Sequence, residues 1–255
     1  MPSFVSKKDP FAWGLLLLMA ALLGWGLYLI LGFDRGALRA APPLPPPILP
    51  RAAWGARPLD LQAPEEFGAF DPQTNPAGVL AYPGELREAL NTIVVHHSAY
   101  PGGGPAEIQA LHMDRRGFAD VAYHFMIAAD GTIYEGRALH MRGAHVQGFN
   151  TGSVGVVLLG NFNEEEPGDA QLNSLRALVD YLRYAYDIRY LAGHRDYPDQ
   201  SPDGTECPGE HLYPLLPSLA RDLGMRYGIE GYVAPTGIHP TALPAEAPLE
   251  SYNPP

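Results

Sequence analysis

One cysteine, Cys207, is all the chain has, so an internal disulfide framework is excluded. Positive charge is also scarce. Lys and Arg number 17 against 28 Asp and Glu, and the formal net charge is −11. No basic face is left to neutralise phosphates, which excludes nucleic acid as a partner. That balance bears on partners and solubility, not on fold. Internal repeats are absent. Charge is missing altogether from residues 11–33, and that gap is informative.

What is present starts with a hydrophobic content of 46% in 255 residues, enough for one cored domain with additions. The uncharged run at 11–33 can cross a hydrocarbon layer of about 30 Å as a helix. Trp13 lies near one end, with Trp25 and Tyr28 toward the other. The run exceeds the roughly 7–15 apolar residues of a cleaved signal. A single-pass anchor is therefore expected, with residues 1–10 cytoplasmic and secretion after cleavage as the alternative. Lys7 and Lys8 favour an inside N-terminus, against Arg35 and Arg39 on the other flank. Residues 34–50 form a linker whose second half, Ala-Pro-Pro-Leu-Pro-Pro-Pro-Ile-Leu-Pro, predicts an extended polyproline spacer. A globular domain is expected over 51–228, then a disordered Pro-rich tail over 229–255.

Within 51–228 the pattern predicts a long surface excursion at 59–90 with a short helix near 84–90. Asn-Thr-Ile-Val-Val-His-His at 91–97 predicts a buried strand. Pro105 suits the first turn of a helix running to about Arg116. Strands at 121–129 and 132–136 flank Asp130-Gly131, a strong hairpin signal. A strand at 153–160 is followed by a helix at about 169–187, with Asp169 as N-cap and its leucines on one face. A short strand near Tyr190 and a helix around 213–226 complete the domain. Strands alternating with helices predict an α/β fold, a central mixed sheet with helices on both faces.

Chemistry gathers at two places. The first strand ends in His96 and His97, and His194 and Cys207 lie in Gly-His-Arg-Asp and Glu-Cys-Pro-Gly. Two imidazoles and a thiol make a three-donor zinc set with the fourth position open, as in catalytic sites. Adjacent strand residues face opposite ways, so His96 and His97 cannot both serve one metal. Periodicity does not decide between them. A buried, inert thiol is the alternative for Cys207, although Pro-Gly after it suggests a loop.

Nine segments stand in a recognisable order: Trp-Gly-Ala-Arg-Pro (54–58), Val-Val-His-His-Ser-Ala (94–99), Tyr-His-Phe (123–125), Asp-Gly-Thr-Ile-Tyr-Glu-Gly-Arg (130–137), Gly-Ala-His (143–145), Asn150, Ser-Val-Gly-Val (153–156), Gly-His-Arg-Asp (193–196) and Glu-Cys-Pro-Gly (206–209). Over roughly 49–226 the chain resembles the peptidoglycan recognition protein and type-2 N-acetylmuramoyl-L-alanine amidase family. The resemblance implies that fold, one Zn2+ held by His96, His194 and Cys207, and Tyr123 as donor to the oxyanion of an attacked amide. Thr205 stands where some phage members carry lysine and many animal amidases threonine, so its part is a hydrogen bond at most. His145 matches a position facing the substrate groove. Asn150 matches another motif position, with shaping a turn as its alternative. His97 and His124 are expected to be structural. Glu206 is a poor candidate base, because side chains next to Cys207 should diverge from the metal. The link from His194 to Cys207, twelve residues, is longer than in many members and resembles a Pro/Gly-bearing surface loop.

Hydrolysis of the amide between the lactyl group of N-acetylmuramic acid and L-alanine in peptidoglycan is the implied reaction. The implied setting is a monomer held at the membrane by its N-terminal helix, with the domain facing the periplasm and cell wall. A non-catalytic peptidoglycan-binding module is the rival, and an amidase for another acyl-amino acid is a third reading.

Overall fold

The structure, a computed structural model, describes residues 19, 41–60, 62–63, 65–66, 81–82, 85–100, 102–198 and 204–229. The chain divides into two units, residues 1–41 and 42–255. Of the first only Met19, in helical conformation, and Ala41 are described. The anchor expected at 11–33 thus lies otherwise outside the described residues, as do residues 1–10 and the tail beyond Ile229. Among the described residues no helix is long and apolar enough to cross a membrane.

In the second unit, seven strands of the described residues form one mixed sheet. They are β1 (Ile48–Leu49), β2 (Thr92–His97), β3 (Phe125–Ile127), β4 (Ile133–Glu135), β5 (Ser153–Leu158), β6 (Tyr190–Gly193) and β7 (Arg226–Tyr227), in the order β1-β4-β3-β5-β2-β6-β7. Only β3 and β4 pair antiparallel. The helices are α1 (Leu86–Ala89), α2 (Pro105–Ala110), α3 (Asp169–Tyr186) and α4 (Leu216–Asp222).

The order follows from composition. β2 and β5 are apolar on both faces and buried at every residue, so they sit at the centre, as parallel strands do. Asp130-Gly131 makes the β3–β4 turn: Thr132 N donates to Asp130 Oδ1 at 2.9 Å, and Gly131 holds φ 87°. Along β2, Ile93 and Val95 join the core under α3, where Leu175, Leu178, Val179 and Leu182 are buried. Val94 packs in a second cluster with Val146, Ala192 and Tyr197. His96 shares the Val94 face and His97 the Ile93 face, because strand residues alternate. Ile108 of α2 packs with Met126 and Val157 in a third cluster. Helices therefore cover both faces, as expected.

Several boundaries differ from expectation. The last residues of the Pro-rich linker are not spacer: Ile48 and Leu49 pair in parallel with Ile133 and Tyr134, which covers the outer edge of β4. The domain begins before residue 51. β3 starts at Phe125 rather than 121, although the backbone of Tyr123 and His124 still bonds to Arg137, Gly136 and Gly155 in the same register. Gly168, not Asp169, caps α3; Asp169 lies in the first turn, where its carboxylate still complements the helix dipole. The helix expected at 213–226 stops at Asp222, and Arg226–Tyr227 adds a parallel edge strand beside β6. Helical structure after Pro105 does reach Arg115, its second half wound as a wider π turn.

Candidate metal centre

β2 and β6 pair with Val95 opposite Gly193, so the next residues, His96 and His194, emerge side by side at the ends of neighbouring parallel strands. Their ring centroids are 4.7 Å apart. The Gly-His-Arg-Asp motif has a physical reading. A Cβ on Gly193 would meet Tyr213 and Pro208 at 3.0–3.1 Å, so glycine leaves room for both. Asp196 Oδ2 accepts from Gly193 N at 2.8 Å, and its Oδ1 accepts from Tyr213 OH. Arg195 fastens the Cys207 segment to this turn. Its N–H donates to Cys207 O at 2.8 Å, and its guanidinium donates to Glu206 O, pairs with Glu210 and lies over the Tyr213 ring.

Cys207 is brought to His96 by these ties. Its Sγ lies 3.5 Å from His96 Nδ1, and accepts from His97 N at 3.4 Å. His96, His194 and Cys207 each offer one donor atom, all within 4.8 Å of one another. Tetrahedral zinc, with bonds of about 2.05 Å to nitrogen and 2.3 Å to sulfur, separates such donors by about 3.6 Å. The Nδ1–Sγ distance fits that requirement. Electrostatics fit as well. Burial, then the neighbouring His194, hold His96 well below its usual value, so its ring is neutral and has a lone pair to give. Burial pushes the Cys207 thiol up to about 12, against the lowering pull of the His97 N–H and Arg195. A cation is what would turn this thiol into a thiolate near neutral pH.

Tyr123 packs against His96, with ring centroids 5.0 Å apart and the planes tilted by 52°. It precedes β3 rather than belonging to it. Its carbonyl accepts from Arg137 N at 2.8 Å, and a Cβ on Gly136 would run into that carbonyl, which accounts for the Glu-Gly-Arg sequence. Burial raises the phenol above its usual range, so it keeps its proton. Thr205 Oγ1 accepts from Cys207 N at 3.2 Å and so props the backbone of the thiol-bearing residue. Residues 199–203 of the long link lie outside the described residues.

The two residues expected at the substrate groove make inward polar contacts. His145 is buried, and its Nδ1 lies 3.0 Å from His96 Nε2. Asn150 Oδ1 accepts from the backbone N–H of both His145 and Val146 at 2.8 Å, the turn-shaping alternative. Glu206 is occupied by Asn163 Nδ2 at 2.7 Å, away from the donor cluster. His97 Nδ1 accepts from Phe162 N at 3.2 Å. His124 accepts from Gly155 N and faces Met141 O, a fully partnered inner histidine.

Sequence reasoning gave no role to four contributors. His112 accepts from Ala122 N and packs against Tyr123, ring centroids 5.4 Å apart. Arg137 and Glu66 form a buried ion pair below the Tyr123 turn. Arg195 ties two donor segments together. Arg137 and Arg195, each inside a motif, had a local signal; His112 and Glu66 had none.

Comparisons with known proteins agree with this geometry. The N-acetylmuramoyl-L-alanine amidase family profile (Amidase_2) matches residues 86–210. Peptidoglycan-recognition protein SC2 of Drosophila melanogaster is 35% identical over 136 residues, covering 50% of this chain and 73% of that protein. The human N-acetylmuramoyl-L-alanine amidase is 30% identical over 67% of this chain, which spans only 28% of that longer protein. Among solved structures, the N-acetylmuramoyl-L-alanine amidase LysC from Clostridium intestinale superposes with a TM-score of 0.50 at 36% identity, covering 58% of this chain and 93% of that one. Drosophila PGRP-LB gives 0.53 at 29% identity, covering 68% and 93%.

Proposed function

This chain belongs to the family of peptidoglycan recognition proteins and N-acetylmuramoyl-L-alanine amidases, and we propose that it is a catalytic, zinc-dependent member that cleaves the amide between the lactyl group of N-acetylmuramic acid and L-alanine in peptidoglycan. One observation carries the reading: His96, His194 and Cys207, contributed by three separate segments, converge with all donors within 4.8 Å. Three donors with an open fourth position suit a catalytic site rather than a structural one.

His96, His194 and Cys207 would hold the ion. Zinc there supplies Lewis acidity, which activates water and withdraws charge from an amide carbonyl. The protein's own share is positional. Tyr123, protonated and beside His96, donates its phenol O–H to the oxygen on which negative charge develops. Thr205 holds the Cys207 backbone and so the thiol. Lysine does not occur after position 8, so no ammonium group assists.

Incubating the purified full chain with cell wall, and identifying products by mass spectrometry, tests the proposal. Free stem peptides and intact glycan strands are expected, abolished by a chelator and restored by zinc. Absence of zinc from the protein, or cleavage at another bond, would overturn it. Tight muropeptide binding by the zinc-loaded chain without turnover would instead support the recognition reading, which the names of several relatives favour.

Tyr123→Phe isolates the phenol. Phe keeps the ring packing on His96, so zinc content should stay at one per chain. Turnover should fall about 10²–10³-fold, the usual cost of losing one oxyanion donor. Steady-state kinetics with metal analysis checks this, and a loss of less than about threefold would remove Tyr123 from the chemistry.

For location, we propose that residues 11–33 anchor the domain on the outer face of the membrane, next to its substrate. A topology reporter fused after residue 228 should report the outside; a cytoplasmic signal contradicts the arrangement.

A further inference from the structure

We infer that His145 is a positioning residue: as the hydrogen-bond acceptor of His96 Nε2–H, it fixes His96 in the tautomer whose Nδ1 lone pair faces Cys207. This rests on the proposed zinc set.

A chain of contacts sets the direction, which can be worked out from its far end. Ser153 Oγ lies 2.9 Å from Phe149 O and 3.0 Å from Asn150 O. Carbonyl oxygens only accept, so the single hydroxyl hydrogen is committed to them. The Ser153 oxygen therefore turns lone pairs toward His145 Nε2, 3.4 Å away, and a proton is wanted on that nitrogen. A neutral imidazole with Nε2–H has a bare Nδ1. That atom lies 3.0 Å from His96 Nε2, which must then be the donor. His96 Nδ1 is left bare, 3.5 Å from Cys207 Sγ. Three side chains thus transmit one polarity from a backbone turn to the metal position.

The ring of His145 is also held in place by construction. A Cβ on Gly143 or on Gly155 would come 2.5 Å from His145 Cδ2, and one on Gly155 would also come 2.7 Å from its Cγ. Both glycines leave out a side chain where the imidazole lies. Asn150 Oδ1 accepts from the His145 backbone N–H at 2.8 Å and pins the other end. His124, the next ring, has both nitrogens committed elsewhere, to Gly155 N and Met141 O, so it does not compete for Nδ1. This gives the Gly-Ala-His and Ser-Val-Gly segments a shared purpose.

Ligating histidines commonly depend on such a partner at the other ring nitrogen, and its loss typically weakens metal affinity about 10–100-fold. Two variants separate orientation from mere packing. Leu fills the space but cannot accept. Asn carries an amide oxygen near the place of Nδ1 and can. Zinc affinity is measured by competition with a chromophoric chelator, on the full chain. His145→Leu is expected to bind zinc about 10–100-fold more weakly, and His145→Asn to remain within about threefold of wild type. In parallel, 15N NMR of the zinc-free wild type should show His96 protonated at Nε2 and bare at Nδ1. Unchanged zinc affinity in a folded His145→Leu, or a proton on His96 Nδ1, overturns the inference. Should the Leu variant fail to fold, the NMR tautomer decides alone. Failure of the wild type to bind zinc at all would strike the proposed function, and the tautomer would then test the role of His145 by itself.

Discussion

Cys207→Ala is expected to yield a folded protein that holds no zinc and releases no measurable peptide from cell wall, a loss of at least about 10³-fold. Donor count is the reason. With the thiol gone, only the imidazoles of His96 and His194 remain, and the described residues offer no third group to the cluster. Two nitrogens do not hold zinc against the competition of water and buffer. The fold should tolerate the change. The sulfur's hydrogen-bonding contacts with the N–H and O of His97 are long, at 3.4 and 3.9 Å. Losing them, with a small cavity, costs about 1 kcal/mol. Metal analysis, thermal unfolding of the zinc-free forms and peptide release together make the test. A chelator should give the wild type the same phenotype, and added zinc should rescue the wild type only. If muropeptide binding survives in the variant, recognition and cleavage are separable on one surface. A variant that keeps both zinc and turnover would remove Cys207 from the metal set.

How far the sequence foretells this site depends on whether each signal is local. The Asp130-Gly131 hairpin, the apolar run of β2 and the leucine stripe of α3 each carry their own pattern, and all stand close to where that pattern puts them. β1 does not. Ile48-Leu49 lies in a proline-rich stretch that reads as spacer, and only the unpaired edge of β4, far along the chain, makes it a strand. Arg226–Tyr227 is similar: nothing within it favours strand over helix, and β6 decides. His96 and His97 could not be told apart because both faces of β2 are buried, which removes the polar alternation that normally marks a face. The donor set emerged from motif order rather than from periodicity. The inward turn of His145 has no local signal, because its partners, His96 and Ser153, are set by packing around Gly143 and Gly155. Glu66 was least visible, one acid among several in a stretch that looks like surface.

Glu66→Ala should remove about 3–5 kcal/mol of stability, out of the roughly 5–15 kcal/mol a domain commands. The Arg137 side chain is 0% exposed and that of Glu66 only 9%. Arg137 Nη1 and Nη2 donate to Glu66 Oε1 and Oε2 at 2.8 and 2.9 Å, and Ala119 N donates to Oε2 as well. Nε of Arg137 donates to Val121 O, and Nη1 also to Arg142 O. With the carboxylate deleted, a guanidinium stays buried with carbonyls alone to offset its charge, which is why breaking such a pair costs more than the pair itself contributes. Replacing both partners, as in Glu66→Leu with Arg137→Met, should therefore recover part of the loss. Acidity should erase the same interaction. Burial alone would raise the Glu66 carboxyl, but the hydrogen bond and charge of Arg137 bring it below its ordinary 4.5. A lowered folded value means the unfolded chain binds the proton first, so this contribution is complete above about pH 4.5 and fades as pH falls through the folded value. Urea unfolding of zinc-free proteins, which keeps metal binding from masking the difference, should show the gap between wild type and Glu66→Gln at pH 7 narrowing toward pH 3. The consequence reaches the site, because the carbonyls that Arg137 gathers flank Tyr123, whose own carbonyl accepts from the Arg137 N–H. A Glu66→Ala protein within about 0.5 kcal/mol of wild type would show that Arg137 is satisfied by the backbone without its carboxylate.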